Sequence, residues 1–396
     1  MEKVLLAFSG GLDTSFCAIW LKEEKGLEVH TALANTGGFT DAELAAVDQK
    51  AIDLGVASHI NLNVTSEFYQ KGIRYMVYGN VLRNNTYPLS VSSERIFQAI
   101  AVIEYAKKIG AKYIAHGSTG AGNDQVRFDL TFQVLAPEIQ ILTPIRDLKL
   151  SRQAEIEYLK AHGIVADWKK MEYSINQGIW GTSIGGKETL TTNETLPDAA
   201  YPKQLKKEGS VDITLDFVKG ELKGLNGQSS DDSVLLIQKL EAIASEWAIG
   251  RDMHIGDTIV GIKGRVAFEA AAALITIKAH HTLEKHTLTK WQQYWKEQLA
   301  SWYGMMLHEA MYLEPALRDI EKMLENSQQF VTGTVTVRLM PYHFLVVGIE
   351  SEHDMMRSGF GEYGEMNNAW SGDDVVGFTK IISNQLKIYN KVNNVF

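Results

Sequence analysis

The chain opens on an apolar run, Lys3-Val4-Leu5-Leu6-Ala7-Phe8, without polar alternation, the pattern of a strand buried on both faces. Past a Ser-Gly-Gly turn, Phe16, Ile19 and Trp20 recur at helical spacing within 14–25. The rhythm then repeats. Residues 29–34 read as a second strand, Thr40-Asp41-Ala42-Glu43 as a capping box opening a helix to about 54, and 58–62 as a third strand. Helices are predicted over 65–77 and 93–109, the latter with Ile96, Ile100 and Ile103 on one face, and strands over 112–115 and 139–142. Repeated strand–helix units predict an α/β, Rossmann-like parallel sheet covered on both faces. Ligands of such sheets gather beyond the carboxyl ends of the strands, so the loops after Phe8, Ala34 and Ala115 should share one crevice.

The pattern changes in the second half. Residues 163–202, rich in Gly, Thr and Asn, read as long loops reaching towards the crevice. Val211, Ile213, Leu215 and Phe217 alternate with polar residues, as in a half-buried antiparallel strand, and Lys219-Gly220 fits a hairpin turn. Leu236, Leu240, Ile243 and Trp247 mark a helix face. Strands are expected over 258–262 and 332–339, the latter turning at Met340-Pro341-Tyr342 into 344–349, with helical chain over 268–326 broken near Pro315. Trp291, Trp295 and Trp302 should fill a core or a subunit contact, and Met305, Met306 and Met311 should fill gaps. His280, His281 and His286 lack the carboxylate spacing of a metal site and read as packing or surface. From Gly377 onwards lies an apolar helix too isolated to bury itself.

Composition narrows the class. Over 396 residues, enough for two or three domains, 48 acidic side chains outnumber 39 basic ones, for a net charge of −9. Without Lys/Arg blocks this argues against a nucleic-acid partner. The single cysteine, Cys17, excludes an intrachain disulfide and a paired-cysteine zinc site and suits a reducing cytoplasm. No signal peptide precedes the first strand and no apolar run approaches membrane length, so no membrane partner is expected.

The chemistry concentrates in two glycine-bearing loops. In Ala7-Phe8-Ser9-Gly10-Gly11-Leu12-Asp13-Thr14-Ser15, a strand, a tight turn and a helix N-terminus aim backbone N–H groups at one point, suited to pyrophosphate. Ser9, Thr14 and Ser15 add hydroxyls, and Asp13 offers a carboxylate to a magnesium ion. The loop has neither the lysine of a P-loop nor the spacing of a dinucleotide fingerprint. The second loop runs from His116 to Phe128; there Asp124 can accept from an ammonium and Arg127 can grip a carboxylate.

The first loop resembles the pyrophosphate loop of the N-type ATP pyrophosphatases. Together with His116-Gly117-Ser118-Thr119-Gly120-Ala121-Gly122-Asn123-Asp124-Gln125-Val126-Arg127-Phe128, it is similar to argininosuccinate synthases, a likeness that extends through Ala34-Asn35, Tyr87 with Ser92, Tyr173-Ser174-Ile175 and Trp180-Gly181 with Ser183-Ile184. The resemblance implies an ATP pyrophosphatase-type nucleotide-binding domain (1–165), an α+β synthetase domain (166–360) and a C-terminal oligomerisation tail (361–396) that packs in a homotetramer. It implies a ligase that adenylylates citrulline with ATP and Mg2+, releases pyrophosphate, and lets the aspartate amine displace AMP in arginine biosynthesis. Carried over, Ala7 to Ser15 (Ala7, Phe8, Ser9, Gly10, Gly11, Leu12, Asp13, Thr14, Ser15), Ala34 and Gly117 hold ATP. Thr119, Asn123 and Asp124 bind aspartate, while Tyr87, Ser92, Asn123, Arg127, Ser174 and Ser183 bind citrulline. Asp13, Asp124 and Arg127 are the catalytic candidates, no dedicated nucleophile being needed and no resident protein-bound metal expected.

The pattern departs from that family in places. A lysine usual in the second loop is Ala121 here, and a Glu and a Tyr that contact citrulline align with Gly256 and Phe268. Either Asp257 or Asp252 supplies the carboxylate from a shifted loop, or the substrate is an N-acylated citrulline with no ammonium to neutralise. Thiolating and glutamine-dependent relatives need nucleophilic cysteines that Cys17 cannot provide. A non-enzymatic nucleotide sensor would keep the first loop without Asn123, Asp124 and Arg127.

Overall fold

The computed structural model describes residues 1–164, 173–357, 359 and 369–395. The expected domain boundaries at 165 and 360 lie outside the described residues. Two compact units appear, Met1–Ser351 and Glu352–Phe396.

The larger unit begins with five strands, β1 (Lys3–Ala7), β2 (Glu28–Asn35), β3 (Ser58–Asn63), β4 (Tyr113–Ala115) and β5 (Gln140–Leu142). They form a parallel sheet in the order β3-β2-β1-β4-β5. The unalternated run of β1 has the predicted cause. Val4 and Leu6 enter an apolar layer with Phe16 and Leu21 on one face, and Leu5 joins Ile103 and Phe132 on the other. Each such side chain taken from water contributes about 1.5–3 kcal/mol. The strand order reverses between β1 and β4, so the loops leaving these neighbours open onto one crevice. Thr40 caps helix Asp41–Asp53 through the capping box that its sequence announces.

Beyond the parallel sheet, β6 (Ser174–Gly178), β7 (Gly181–Gly185), β11 (Arg251–Asp257) and β12 (Lys263–Glu269) make an antiparallel sheet in the order β11-β12-β7-β6. A second one, β10-β9-β8-β13-β14, is built from β8 (Val211–Val218), β9 (Glu221–Leu225), β10 (Gln228–Ser229), β13 (Gly333–Met340) and β14 (His343–Glu350).

Three expectations need correction. The stretch read as loops contains the β6–β7 hairpin, whose polar SINQG strand carries no alternating pattern because its first three residues are exposed. Residues 258–262, expected as a strand, turn β11 into β12: Thr258 N–H donates to the Ile262 carbonyl at 2.8 Å, and Gly261 has φ +85°. Trp291, Trp295 and Trp302 line an exposed face of helix Lys290–His308 rather than the core of this chain. His280 is buried and bonded to Asn80 and Gln328, a packing role as expected.

In the smaller unit, helices Gly372–Ile382 and Asn384–Asn393 bury none of their residues. Among the described residues no helix is long and apolar enough to cross a membrane.

Candidate active site

The first loop is shaped by its glycines. Gly10 sits at φ +73°, where a side chain is strained, and an added Cβ would reach Val47 at 3.3 Å. Gly11 then begins helix Leu12–Glu23 without a side-chain cap, leaving the leading N–H groups open to an anion. Behind the loop, Lys50 Nζ donates to the Gly10 carbonyl at 2.5 Å. The hydroxyls of Thr14 and Ser15 serve differently from the expectation. Both donate to the Gly11 carbonyl, at 3.3 and 2.7 Å, and Ser15 is wholly buried, so it braces the loop from inside the helix.

The second loop is held by His116. Its Nδ1 accepts from the Ser118 N–H at 3.2 Å, so Nε2 carries the proton and donates to Asp129 at 2.8 Å. Arg146 grips the other Asp129 oxygen at 2.6 Å. Burial alone would raise the Asp129 carboxyl, but His116 and Arg146 outweigh it and hold it below the usual range. Gln125 ties the glycine turn down through the carbonyls of Gly120 and Gly122.

The two loops meet. A Cβ on Gly117 would lie 3.3 Å from both the carbonyl carbon and the Cβ of Asp13. They bound one cavity of about 1300 Å³, which Ala7 to Thr14, Ala34, Gly117, Thr119, Asn123, Asp124 and Arg127 all line. Tyr87, Ser92, Ser174 and Ser183 line it as well. Of the residues assigned by resemblance, Ser15 alone stands outside the lining.

At the far end of the cavity Asp124 is clamped between two guanidinium groups, Arg95 Nε at 3.0 Å and Arg127 Nη1 at 2.7 Å. Its burial would raise the carboxyl, yet Arg95 and then Arg127 keep it low and ionised. Arg127 is not an open fork. Its Nε and Nη2 both donate to the His308 carbonyl at 3.0 Å, and its third arm holds Asp124. Arg95, which no motif marks, is the hub: it also reaches Glu94, Gln98 and Asn176 of β6. Glu94 in turn accepts from Thr36 at 2.8 Å, and burial pushes its carboxyl up to about 7. Gly178 packs on this group so closely that a Cβ would fall 1.9 Å from Glu94 Oε2.

The Tyr87 hydroxyl lies 3.3 Å from Ser183 Oγ, and its ring stacks on His254 at 5.2 Å and tilts against Phe268 at 5.3 Å. The place of a residue-256 side chain is taken: a Cβ on Gly256 would come 2.7 Å from His254 Nε2. Burial, helped by Arg83, lowers His254 to about 4, so the imidazole is neutral. Of the two carboxylates weighed as substitutes, Asp257 lines the cavity and pairs with Lys263 at 2.5 Å. Asp252 is not part of the lining and accepts from the Met253 N–H. Ser92 Oγ and His308 Nε2 line the cavity buried and without a protein partner, as polar atoms awaiting a ligand.

Comparison with known proteins decides the family. A model described as the arginosuccinate synthase N-terminal HUP domain matches residues 3–165, and one for the C-terminal domain matches 173–389. The chain belongs to the argininosuccinate synthase family. It is 36% identical to the argininosuccinate synthase of Dictyoglomus turgidum over 391 residues, 98% of this chain and 97% of that one. To that of Pyrococcus furiosus it is 35% identical over 398 residues, 99% and 96% of the two chains. Against the Methanocaldococcus jannaschii enzyme the identity is 36% over 359 residues, 89% and 90%. Nothing in these likenesses favours an N-acylated citrulline or a nucleotide sensor.

Arg95 and His308 escaped the sequence reading. Their only signal is position, Arg95 one residue into helix Glu94–Lys108 and His308 at the end of helix Lys290–His308.

Proposed function

We propose that this argininosuccinate synthase joins citrulline and aspartate at the expense of ATP, forming argininosuccinate, AMP and pyrophosphate through a citrullyl-adenylate. The shared lining of one cavity by the two loops, with Gly117 so close to Asp13 that a side chain there would not fit freely, carries the reading, because adenylyl transfer needs the triphosphate and the acceptor in one cavity. The ureido oxygen attacks the α-phosphorus, and the electron pair of the broken bond leaves with pyrophosphate. The aspartate amine then adds to the activated carbon and AMP departs.

In this reading the open N–H groups after Gly11 receive phosphate oxygens, with Ala34 and Gly117 beside the nucleotide. Asp124 accepts from the aspartate ammonium while Thr119 and Asn123 position its carboxylates. Ser92, Tyr87, Ser174 and Ser183 orient citrulline, and Arg127 acts by fixing Asp124. ATP enters as its magnesium complex. Among the described residues no cage of His, Cys, Asp or Glu side chains is present, and the Asp13 carboxylate, hydrogen-bonded to Glu155, fits an ion held chiefly by phosphate oxygens. Its part is to neutralise phosphate charge.

The division into residues 1–165 for the nucleotide, 166–360 for synthesis and 361–396 for assembly belongs to the same proposal. So does a cytoplasmic homotetramer with no nucleic-acid partner: Val376, Phe378, Ile381 and Leu386 on the tail helices are each more than half exposed, an apolar surface suited to a second copy. Size measurement after deletion from Ile381 onwards should show smaller particles; an unchanged tetramer excludes the tail as its clasp. For the reaction, sustained pyrophosphate release should require aspartate and citrulline together, citrulline alone giving at most one equivalent per site, and release with ATP alone would defeat the assignment.

A further inference from the structure

The two buried polar atoms without a protein partner at the amino-acid end differ in kind. Ser92 Oγ can donate or accept, whereas His308 Nε2 can only donate. The tautomer follows from Arg127, whose Nη2 lies 3.3 Å from His308 Nδ1. A guanidinium carries donors alone, so Nδ1 accepts and the imidazole proton sits on Nε2. Burial first, then the Arg127 and Arg83 guanidinium groups, lower this imidazole to about 2, so it stays neutral and keeps that one N–H. A buried donor of this kind is ordinarily paired, and the side chain that carries it lines the cavity.

The surroundings define the acceptor. Arg83 Nη2 donates to the Asp257 carbonyl at 3.1 Å and Asn84 to the Ile255 carbonyl at 3.2 Å, which lays this segment along β11 beside His254. His254 stacks in turn on Tyr87, whose hydroxyl reaches Ser183. Arg127, Arg83 and His254 all disfavour a charge on His308, and Asp124 only partly opposes them. The described carboxylates that line the cavity are engaged elsewhere: Asp124 with its two arginines, Asp257 with Lys263, Asp13 with Glu155 and Glu43 with Thr40. A positive corner with a fixed neutral donor suits an incoming carboxylate better than an ammonium.

We propose that His308 is a substrate-binding residue that sets specificity: its Nε2–H donates to the α-carboxylate of citrulline. The inference rests on the reaction proposed above. No proton moves and no bond breaks at His308. It anchors the amino-acid end of citrulline so that the ureido oxygen, at the other end of the side chain, reaches the nucleotide.

Two substitutions separate the two sides of the ring. His308→Asn keeps an acceptor for Arg127 near the Nδ1 position and removes the outer donor, while His308→Gln keeps an N–H near the Nε2 position and removes that acceptor. Citrulline affinity of the full chain is read by calorimetry with magnesium and a non-cleavable α,β-methylene analogue of ATP, and kinetics follow with each substrate varied in turn. The Asn variant should bind citrulline at least tenfold more weakly with the KM for aspartate within twofold, and the Gln variant should stay within threefold of wild type. Unaltered citrulline affinity in the Asn variant would overturn the role. So would a larger loss in the Gln variant, which marks a brace for Arg127 instead. N-Carbamoylputrescine, which is citrulline without its carboxylate, identifies the atom. Wild type should bind it at least tenfold more weakly than citrulline, and the Asn variant should discriminate at least threefold less. The same discrimination in both proteins would overturn the assignment, and if neither variant folds, equal wild-type affinity for the two compounds does so. A chain that shows these preferences yet makes no argininosuccinate would keep this inference and sink the reaction. Argininosuccinate formed with citrulline affinity unaltered in the Asn variant would do the reverse.

Discussion

The two ends of the cavity solve opposite electrostatic problems. At the nucleotide end the chain offers N–H dipoles, a left-handed glycine and one engaged lysine behind the turn. Its rigidity comes from backbone geometry. At the amino-acid end charge is abundant but already spoken for: Asp124 is held by two arginines, and Arg127 is engaged by the His308 carbonyl and Asp124. The contrast teaches that an anionic ligand with many oxygens is met by donors left open. A zwitterion is met by a network whose charges are balanced beforehand, leaving only selected atoms such as Ser92 Oγ unpartnered.

Substitutions at either end can break this contrast. The largest effect is expected from Gly10→Ala, which forces a side chain into φ +73° against Val47. Pyrophosphate release should fall more than 100-fold while citrulline binding persists, and near-normal turnover would show that the turn can relax. Next comes Asp124→Asn, which leaves Arg95 and Arg127 facing a neutral amide. The kcat/KM for aspartate should drop about 100-fold with ATP affinity unchanged, so a parallel loss of ATP affinity would mean that the ends are not independent. Ser92→Ala should raise the citrulline KM about tenfold, the worth of one hydrogen bond near 1.4 kcal/mol. Its unfolding temperature should not fall, since the hydroxyl has no protein partner to lose.

The smallest effect concerns Glu94. Burial raises its carboxyl from 4.5 to about 7, so the folded chain holds a proton that the unfolded chain releases. Stability from this group is full below the unfolded value and declines as pH rises towards 7. Thermal unfolding of Glu94→Gln between pH 5 and 8 should show a shallower decline than wild type. An identical slope would mean that Arg95 keeps Glu94 ionised throughout.

Much of this was legible in the sequence because it is local. The unalternated β1 run, the Ser9-Gly10-Gly11 turn and the capping box at Thr40 each state their structure within a few residues. The convergence of the loops followed from strand order. The arginine clamp was hidden, because Arg95 meets Asp124 across 29 positions and Asn176 across 81. The β6–β7 hairpin was equally opaque, its polar strand being exposed and so free of the alternation that marks a buried face. The turned-in hydroxyls of Thr14 and Ser15 show a further limit: residue type suggested phosphate donors, but the first helical turn supplied a nearer acceptor.

Cys17, the only sulfur nucleophile of the chain, lies fully buried one turn beyond Asp13. Burial first, then the neighbouring Asp13 and Glu155 carboxyls, hold its thiol protonated far above the ordinary range. Alkylating reagents and peroxide act on thiolates that they can reach, and this one is neither ionised nor accessible. The thiol of the folded chain is thus held out of reach of thiolate chemistry.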